Sequence, residues 1–368
     1  MSTFVKGVEI PGTPITITVP NVHCALPLGL YALYKYGMLE DSRNGSVLVA
    51  PIPITTFYTK PYQRVVFWQE RDANPYFHFF ESLWMLAGRE DVAYPASFAK
   101  QIAQYSDDNE TLTGAYGHRW RHFFGFDQLD WIIKRFKENP NDRRVVLTMW
   151  SGEDDPVFAD NGCKDIPCNT QVYFRINVNE EGLPELCMQV NCRSNDIIWG
   201  AYGANAVHMS MLQEYLADRI GVGVGWYAQA SFNYHGYVDF INKMKSREKP
   251  EETYLSLIKT AKFMCETDGR CEVYDPYDDA KHVESPWVTH QPIAAKDQSW
   301  DEDLFAFLES PGNTFKNSFF YNVALPMHYS YQSYRQGHYE QAIENIGRCT
   351  AYDWRRACTE WLERRAKK

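Results

Sequence analysis

Of nine cysteines, Cys168 stands where a thiol can act as a nucleophile. In Asp165-Ile166-Pro167-Cys168-Asn169, the proline drives Ile166 toward extended backbone. Cys168 therefore falls at the junction of a loop and an alternating strand. A thiolate there can attack an electrophilic carbon if nearby cations lower its pKa. The ordinary alternative is a small buried hydrophobe. A metal site is the weaker reading. Cys163/Cys168 and Cys187/Cys192 are each separated by four residues, not the two of common ligand pairs. On a strand, Cys187 and Cys192 would point to opposite faces.

Downstream, Asn191-Cys192-Arg193-Ser194-Asn195-Asp196 leaves a strand for a loop punctuated by Gly200 and Gly203. Arg193 and Ser194 can hold one phosphate between them, the guanidinium through paired donors and the hydroxyl through a third. Asp196 can accept two hydrogen bonds from an amidine-like heterocycle edge; its plainer role is a surface ion pair. Asn205 is either a helix N-cap or a reader of a base, since its amide both donates and accepts. Arg143 and Arg144 open a predicted strand. Being adjacent, they alternate across the sheet, and at most one faces a pocket of its own chain. Glu81 lies between aromatics in Phe80-Glu81-Ser82-Leu83-Trp84, at the edge of an apolar helical stripe. A carboxylate among apolar neighbours can handle protons near neutrality; the alternative is a place on the exposed helix face. Tyr116, His235 and Tyr237 are weak signals alone, because satisfied core aromatics are commoner.

Helices and strands must position these groups. Residues 75–88 read as a helix with proline in its first turn, Phe77, Phe80, Trp84 and Ala87 at helical spacing, and Gly88 closing it. Residues 127–137 form a second amphipathic helix through Leu129, Ile132, Ile133 and Phe136. Residues 143–150 look like a strand. Val172, Phe174, Ile176 and Val178 share one face of the next strand, and Leu186, Met188 and Val190 one face of another, joined as a hairpin through 179–184. Residues 207–220 are helical, 222–232 a further strand, and 339–346 and 352–365 helical. Strands mixed with helices and partly joined by hairpins indicate an α+β fold, a mixed sheet with helices on one side.

The chain has 368 residues, 45% hydrophobic and 23% charged, as expected of a soluble globular protein with one large or two ordinary domains. A net charge of −10 argues against broad binding to nucleic acid or anionic membrane, though not against a small anion held by a few arginines. No apolar run reaches the roughly 18–20 residues of a membrane span. No secretion signal is read at the start, so the scattered, odd-numbered cysteines are expected as free thiols in a reducing cytoplasm. There is no internal repeat. Residues 268–286, rich in Pro, Gly and Asp, are expected to form a long loop.

Taken in order, these pieces resemble thymidylate synthase and its nucleotide hydroxymethylase relatives. The resemblance rests on Ser42-Arg43-Asn44-Gly45, Glu81-Ser82-Leu83-Trp84, Gly114 to Trp120, Asp142 to Trp150, Pro167-Cys168, Cys192 to Asn205, and Tyr234-His235-Gly236-Tyr237. It spans roughly residues 40–240, within a single catalytic domain over 1–368 whose core is about 40–250 and whose remainder diverges. It implies a homodimer packed sheet to sheet. Cys168 would attack C6 of a pyrimidine nucleoside monophosphate, making C5 nucleophilic toward 5,10-methylenetetrahydrofolate. Arg43, Arg193 and Ser194 would hold the phosphate. Arg143 and Arg144 would reach the partner's site and help depress the pKa of Cys168. Glu81 would organise proton transfer through water, and Tyr116 would assist removal of the C5 proton. His235 and Tyr237 would bind the sugar 3′-hydroxyl. Asp196, with Trp84, would meet the folate. No metal is implied.

Departures from the synthase pattern point to the subtype. Asn169 stands where synthases usually carry histidine after the nucleophile, and Cys192 where they carry glutamine. The loop from Gly200 to Asn205 is one residue longer. The chain ends Arg364-Arg365-Ala366-Lys367-Lys368 instead of in a short apolar lid. A missing lid favours water over hydride at the exocyclic methylene, so C5 hydroxymethylation is the expected outcome. Asn205 matches uracil, making dUMP the expected substrate. A synthase reaction, a dCMP or CMP hydroxymethylase, and a non-catalytic nucleotide- or RNA-binding relative are the alternatives.

Overall fold

Eight strands form one mixed sheet in the computed structural model, which describes residues 14–244, 277, 299–312 and 314–367. The strands are β1 (Ile15–Val19), β2 (Met38–Ser42), β3 (Gly45–Val49), β4 (Ile54–Tyr58), β5 (Val146–Thr148), β6 (Asn169–Val178), β7 (Pro184–Asp196) and β8 (Gly223–Tyr237). Their order is β1-β4-β8-β7-β6-β5, with the β2–β3 hairpin joined to the end of β8. The long β8 is the hub. It runs parallel to β7 and antiparallel to β4 and β3. Parallel neighbours need a crossover, and helix α7 (Asn205–Ile220) supplies it between β7 and β8. As expected, β6 and β7 form a hairpin, with Val172 opposite Val190 and Phe174 opposite Met188. The expected inward face fails at its end: Val178 is 69% exposed, because it sits at the hairpin tip beyond the covered sheet. Gln171, Tyr173 and Arg175 alternate with the buried positions of β6 and are exposed.

Helix α1 (Val22–Tyr36) has no clean signature in the sequence, because Pro27 and Gly29 interrupt it. The structure accommodates both. Pro27 cannot donate to His23, and that carbonyl accepts instead from the Trp68 indole at 2.8 Å. Gly29 lets Tyr202 and Tyr234 approach. A Cβ there would lie 2.2 Å from the Tyr202 ring and 2.3 Å from the Tyr234 hydroxyl.

Helix α2 (Pro75–Leu86) has Asn74 as its N-cap, accepting from Phe77 N–H, and Pro75 in its first turn. All of its residues are buried, which a helix with one wet face cannot be. α7 covers one side. The C-terminal helices α9 (Ser299–Glu309), α10 (Leu325–Arg335) and α12 (Tyr352–Ala366) cover much of the rest, and α11 (Tyr339–Gly347) packs against α10 and α12. Phe79 meets Trp354 at 5.4 Å between ring centroids, Phe80 meets Phe307 at 6.2 Å, and Tyr76 meets Trp361 at 5.6 Å. Each such pair adds about 0.5–1.5 kcal/mol beyond burial. Tyr76 also shares a 2.6 Å hydrogen bond with the Ser330 hydroxyl. No described helix is long and apolar enough to cross a membrane. The expected loop at 268–286 lies outside the described residues, apart from Tyr277.

Candidate active site

The segment carrying Cys168 is tied down from β7. Arg193 N–H donates to the Cys168 carbonyl at 2.9 Å. The Arg193 guanidinium donates from Nε to Pro167 O at 2.8 Å and from Nη2 to Ile166 O at 3.0 Å, with Nη2 4.0 Å from the Cys168 sulfur. Nη1 has no partner among the described residues, which leaves donors for an anion. In a single chain, without the partner's Arg143 and Arg144, the half-buried Cys168 thiol is not depressed. Burial pushes it up and Asp165 adds to that, while Arg193 and Arg43 pull the other way without prevailing. Arg43 occupies the exposed β2–β3 turn, and Ser194 is half-buried on β7.

A chain of side-chain amides runs inward from this point. Cys192 Sγ donates to Asn169 Oδ1, and Asn169 Nδ2 donates to Asn205 Oδ1 at 3.2 Å. Asn205 Nδ2 donates to Asn195 Oδ1 at 3.1 Å, and Asn195 Nδ2 to the Ser231 hydroxyl at 2.9 Å. Burial pushes the Cys192 thiol well up, so it stays protonated and remains the donor that starts the chain. Asn205 is therefore not the N-cap of α7; Ala204 holds that place, with no side-chain cap. The Asn205 amide is clamped on both sides and keeps one acceptor lone pair and one N–H in reserve. Asn169 N–H donates to the Tyr116 hydroxyl at 3.1 Å, at the start of helix α4 (Tyr116–Arg121), and burial raises that phenol's pKa.

Glu81 is buried on α2, not on an exposed helix face. Its Oε2 lies 2.9 Å from His208 Nε2 on α7. The two atoms are off the line of a hydrogen bond, and neither has another partner among the described residues. His235 stands opposite Asp196 in the β7–β8 register, with its ring 5.6 Å from Tyr237 in an edge-to-face arrangement. Asp196 Oδ1 accepts from Ile198 N–H at 3.0 Å and Trp199 N–H at 2.6 Å, capping the wide helical turn Ile197–Ala204. Its Oδ2 is buried without a partner among the described residues. Burial raises this carboxyl's pKa against the pull of the turn's N–H groups, His235 and Arg71.

Two expectations are corrected by placement. Trp84 is 1% exposed and its indole donates to Asp91 at 3.1 Å, so it sits in the core and offers no surface to a cofactor. Arg143 and Arg144 do not open a strand. They lie in an exposed turn closed by Asp142, which accepts from Arg144 N–H at 3.0 Å and from its guanidinium at 2.9 Å. β5 begins only at Val146. Sequence reading overlooked His208, Arg71, Asp165 and Asn195. His208 had a signal: it follows Asn205 by three residues, one turn along the same helix face. Asn195 and Asp165 had none, since their neighbours come from distant elements.

Residues 70–282 match the thymidylate synthase family. A deoxyuridylate hydroxymethyltransferase of Pseudomonas phage M6 is 42% identical over 355 residues, 95% of this chain and 94% of the phage protein. Proteins of the same description from Bacillus phage SP01 and Delftia phage PhiW-14 are 33% and 26% identical. They cover 51% and 65% of this chain, and 50% and 66% of their own lengths.

Proposed function

Because the chain belongs to the thymidylate synthase family, we propose that it hydroxymethylates C5 of dUMP, with 5,10-methylenetetrahydrofolate donating the carbon and water the oxygen. The observation that carries the choice of uracil is the clamped Asn205 amide. Its remaining acceptor suits uracil N3–H and its remaining donor suits O4.

Cys168 bonds to C6, and the C5=C6 electron pair moves toward O4. Burial opposes the thiolate, so the cations near it have to favour it: Arg193 at 4.0 Å and Arg43. Arg193 Nη1, Ser194 and Arg43 bind the phosphate. His235 and Tyr237 take the sugar hydroxyl. Bound folate supplies the one-carbon unit to C5. Asp196 fits its pterin, because the buried Oδ2 is an acceptor still lacking a donor. Tyr116, positioned by Asn169 N–H, assists departure of the C5 proton. Arg143 and Arg144 reach the phosphate of a second copy docked across the exposed sheet face of Gln171, Tyr173 and Arg175.

The test is one incubation with methylenetetrahydrofolate and an equal mixture of dUMP, dCMP, UMP and CMP, read by product mass, with dihydrofolate followed by absorbance. Hydroxymethyl-dUMP without dihydrofolate is the expected result. Methylated dUMP with stoichiometric dihydrofolate would make the enzyme a synthase.

A further inference from the structure

Water capture places a demand on the protein that hydride transfer does not: a proton must leave the attacking water. The oxygen bonds to the exocyclic carbon, the C5=CH2 pair moves to O4, and one proton of the water passes to a base. Expulsion of the Cys168 thiolate from C6 then restores C5=C6.

We propose that His208 serves Glu81 in this step: Glu81, the carboxylate to which the family resemblance already gives proton transfer through water, takes the proton, and His208 carries it away from the site. Glu81 would touch the reacting water; His208 works through Glu81 and is a positioning and relay residue. This inference rests on the hydroxymethylation reading above. Three observations support it. Both side chains are buried, and Glu81 Oε2 and His208 Nε2 lie 2.9 Å apart, neither atom having a hydrogen-bond partner among the described residues. Asn205 and His208 are three residues apart on α7, so His208 lies one turn from the amide that faces the base. A second histidine neighbours His208. The His78 ring stands edge-on to it at 6.5 Å between centroids, and His78 lines a cavity of about 20 Å³ with Val207, Trp354, Glu360 and Arg364. A volume of this size holds about one water. It lies where the C-terminal helix α12 meets α2.

Burial, with Arg71 and His208 nearby, holds His78 well below the ordinary imidazole range. His78 therefore rests neutral, and it relays a proton only by accepting one at one ring nitrogen while losing another from the second.

The test separates C5 activation from water capture. In a single turnover with C5-tritiated dUMP, tritium release reports the steps up to removal of the C5 proton, which precede departure of the folate and water attack. His208→Ala and His208→Gln are expected to release tritium at the wild-type rate while forming hydroxymethyl product at least about tenfold more slowly. Glutamine can hold Glu81 in place but cannot relay a proton. Near wild-type turnover in His208→Gln would overturn the relay, and so would tritium release falling in step with product. Should neither variant fold, the wild-type enzyme in deuterated water serves. Product formation is expected to slow more than tritium release, and equal slowing would sink the idea. Production of methylated dUMP by the wild type would refute the underlying reaction instead, an outcome distinguishable by mass.

Discussion

Asn205 shows how a single side chain acquires a function from its neighbours. Asn169 and Asn195 fix both ends of its amide, so what remains for a ligand is one donor and one acceptor in a set orientation. Asn205→Asp removes the donor that suits O4 of uracil and supplies an acceptor for the cytosine amino group. The kcat/KM for dUMP is expected to fall roughly tenfold to a hundredfold while that for dCMP rises, the scale of one paired contact. Competition between the two nucleotides, read by product mass, checks it. Asp165 gives a prediction in pH. Its carboxyl is raised from 3.8 to about 6, chiefly by burial. The native state therefore holds this proton more tightly than the unfolded chain does. The stability it contributes is complete below about pH 4 and is lost as pH rises through 6. Asp165→Asn should raise the unfolding free energy at pH 7.5 by about 1–2 kcal/mol for a half-buried group, and should make no difference near pH 4. Denaturant melts at the two pH values decide it.

Among elements, α1 and α2 illustrate packing that the local sequence does not announce. α1 passes so close to Tyr202 and Tyr234 that only hydrogen fits at position 29. Those tyrosines are bonded to each other at 2.8 Å and, through Tyr202, to Thr56 at 2.9 Å. Gly29→Ala, normally favourable inside a helix, is expected here to cost about 1–3 kcal/mol, visible as a lower urea midpoint with unchanged slope. An unchanged midpoint would mean that the tyrosines yield without cost. α2 carries Glu81 and is buried all round because the C-terminal helices cover it. Tyr76, Phe79 and Phe80 are covered by residues more than 200 positions downstream, which leaves Glu81 facing His208 on α7.

At the scale of the whole molecule, the proposed dimer makes the turn at Asp142 functional, since Arg143 and Arg144 would serve a site they do not belong to. Cys168→Ala and the double variant Arg143→Ala/Arg144→Ala should each be inactive alone. Mixed and allowed to exchange subunits, they should regain about a quarter of wild-type activity, because half the dimers are hybrids with one complete site. No recovery, or a monomer by sedimentation, would refute the shared site. Much of this protein was legible in its residues. The amphipathic period of 127–137, the alternation of the β6–β7 hairpin, the proline-capped start of α2 and the ordered motifs around Cys168 are local patterns, and local patterns are written in sequence. The tertiary structure decided the rest. It turned Asn205 from a cap into a clamped amide and moved Trp84 from the cofactor into the core. It set burial against Arg193 and Arg43 at Cys168, and it placed His208 beside Glu81. Each of these depends on which side chains from distant segments share a volume closed to water, and no spacing along a single chain encodes that.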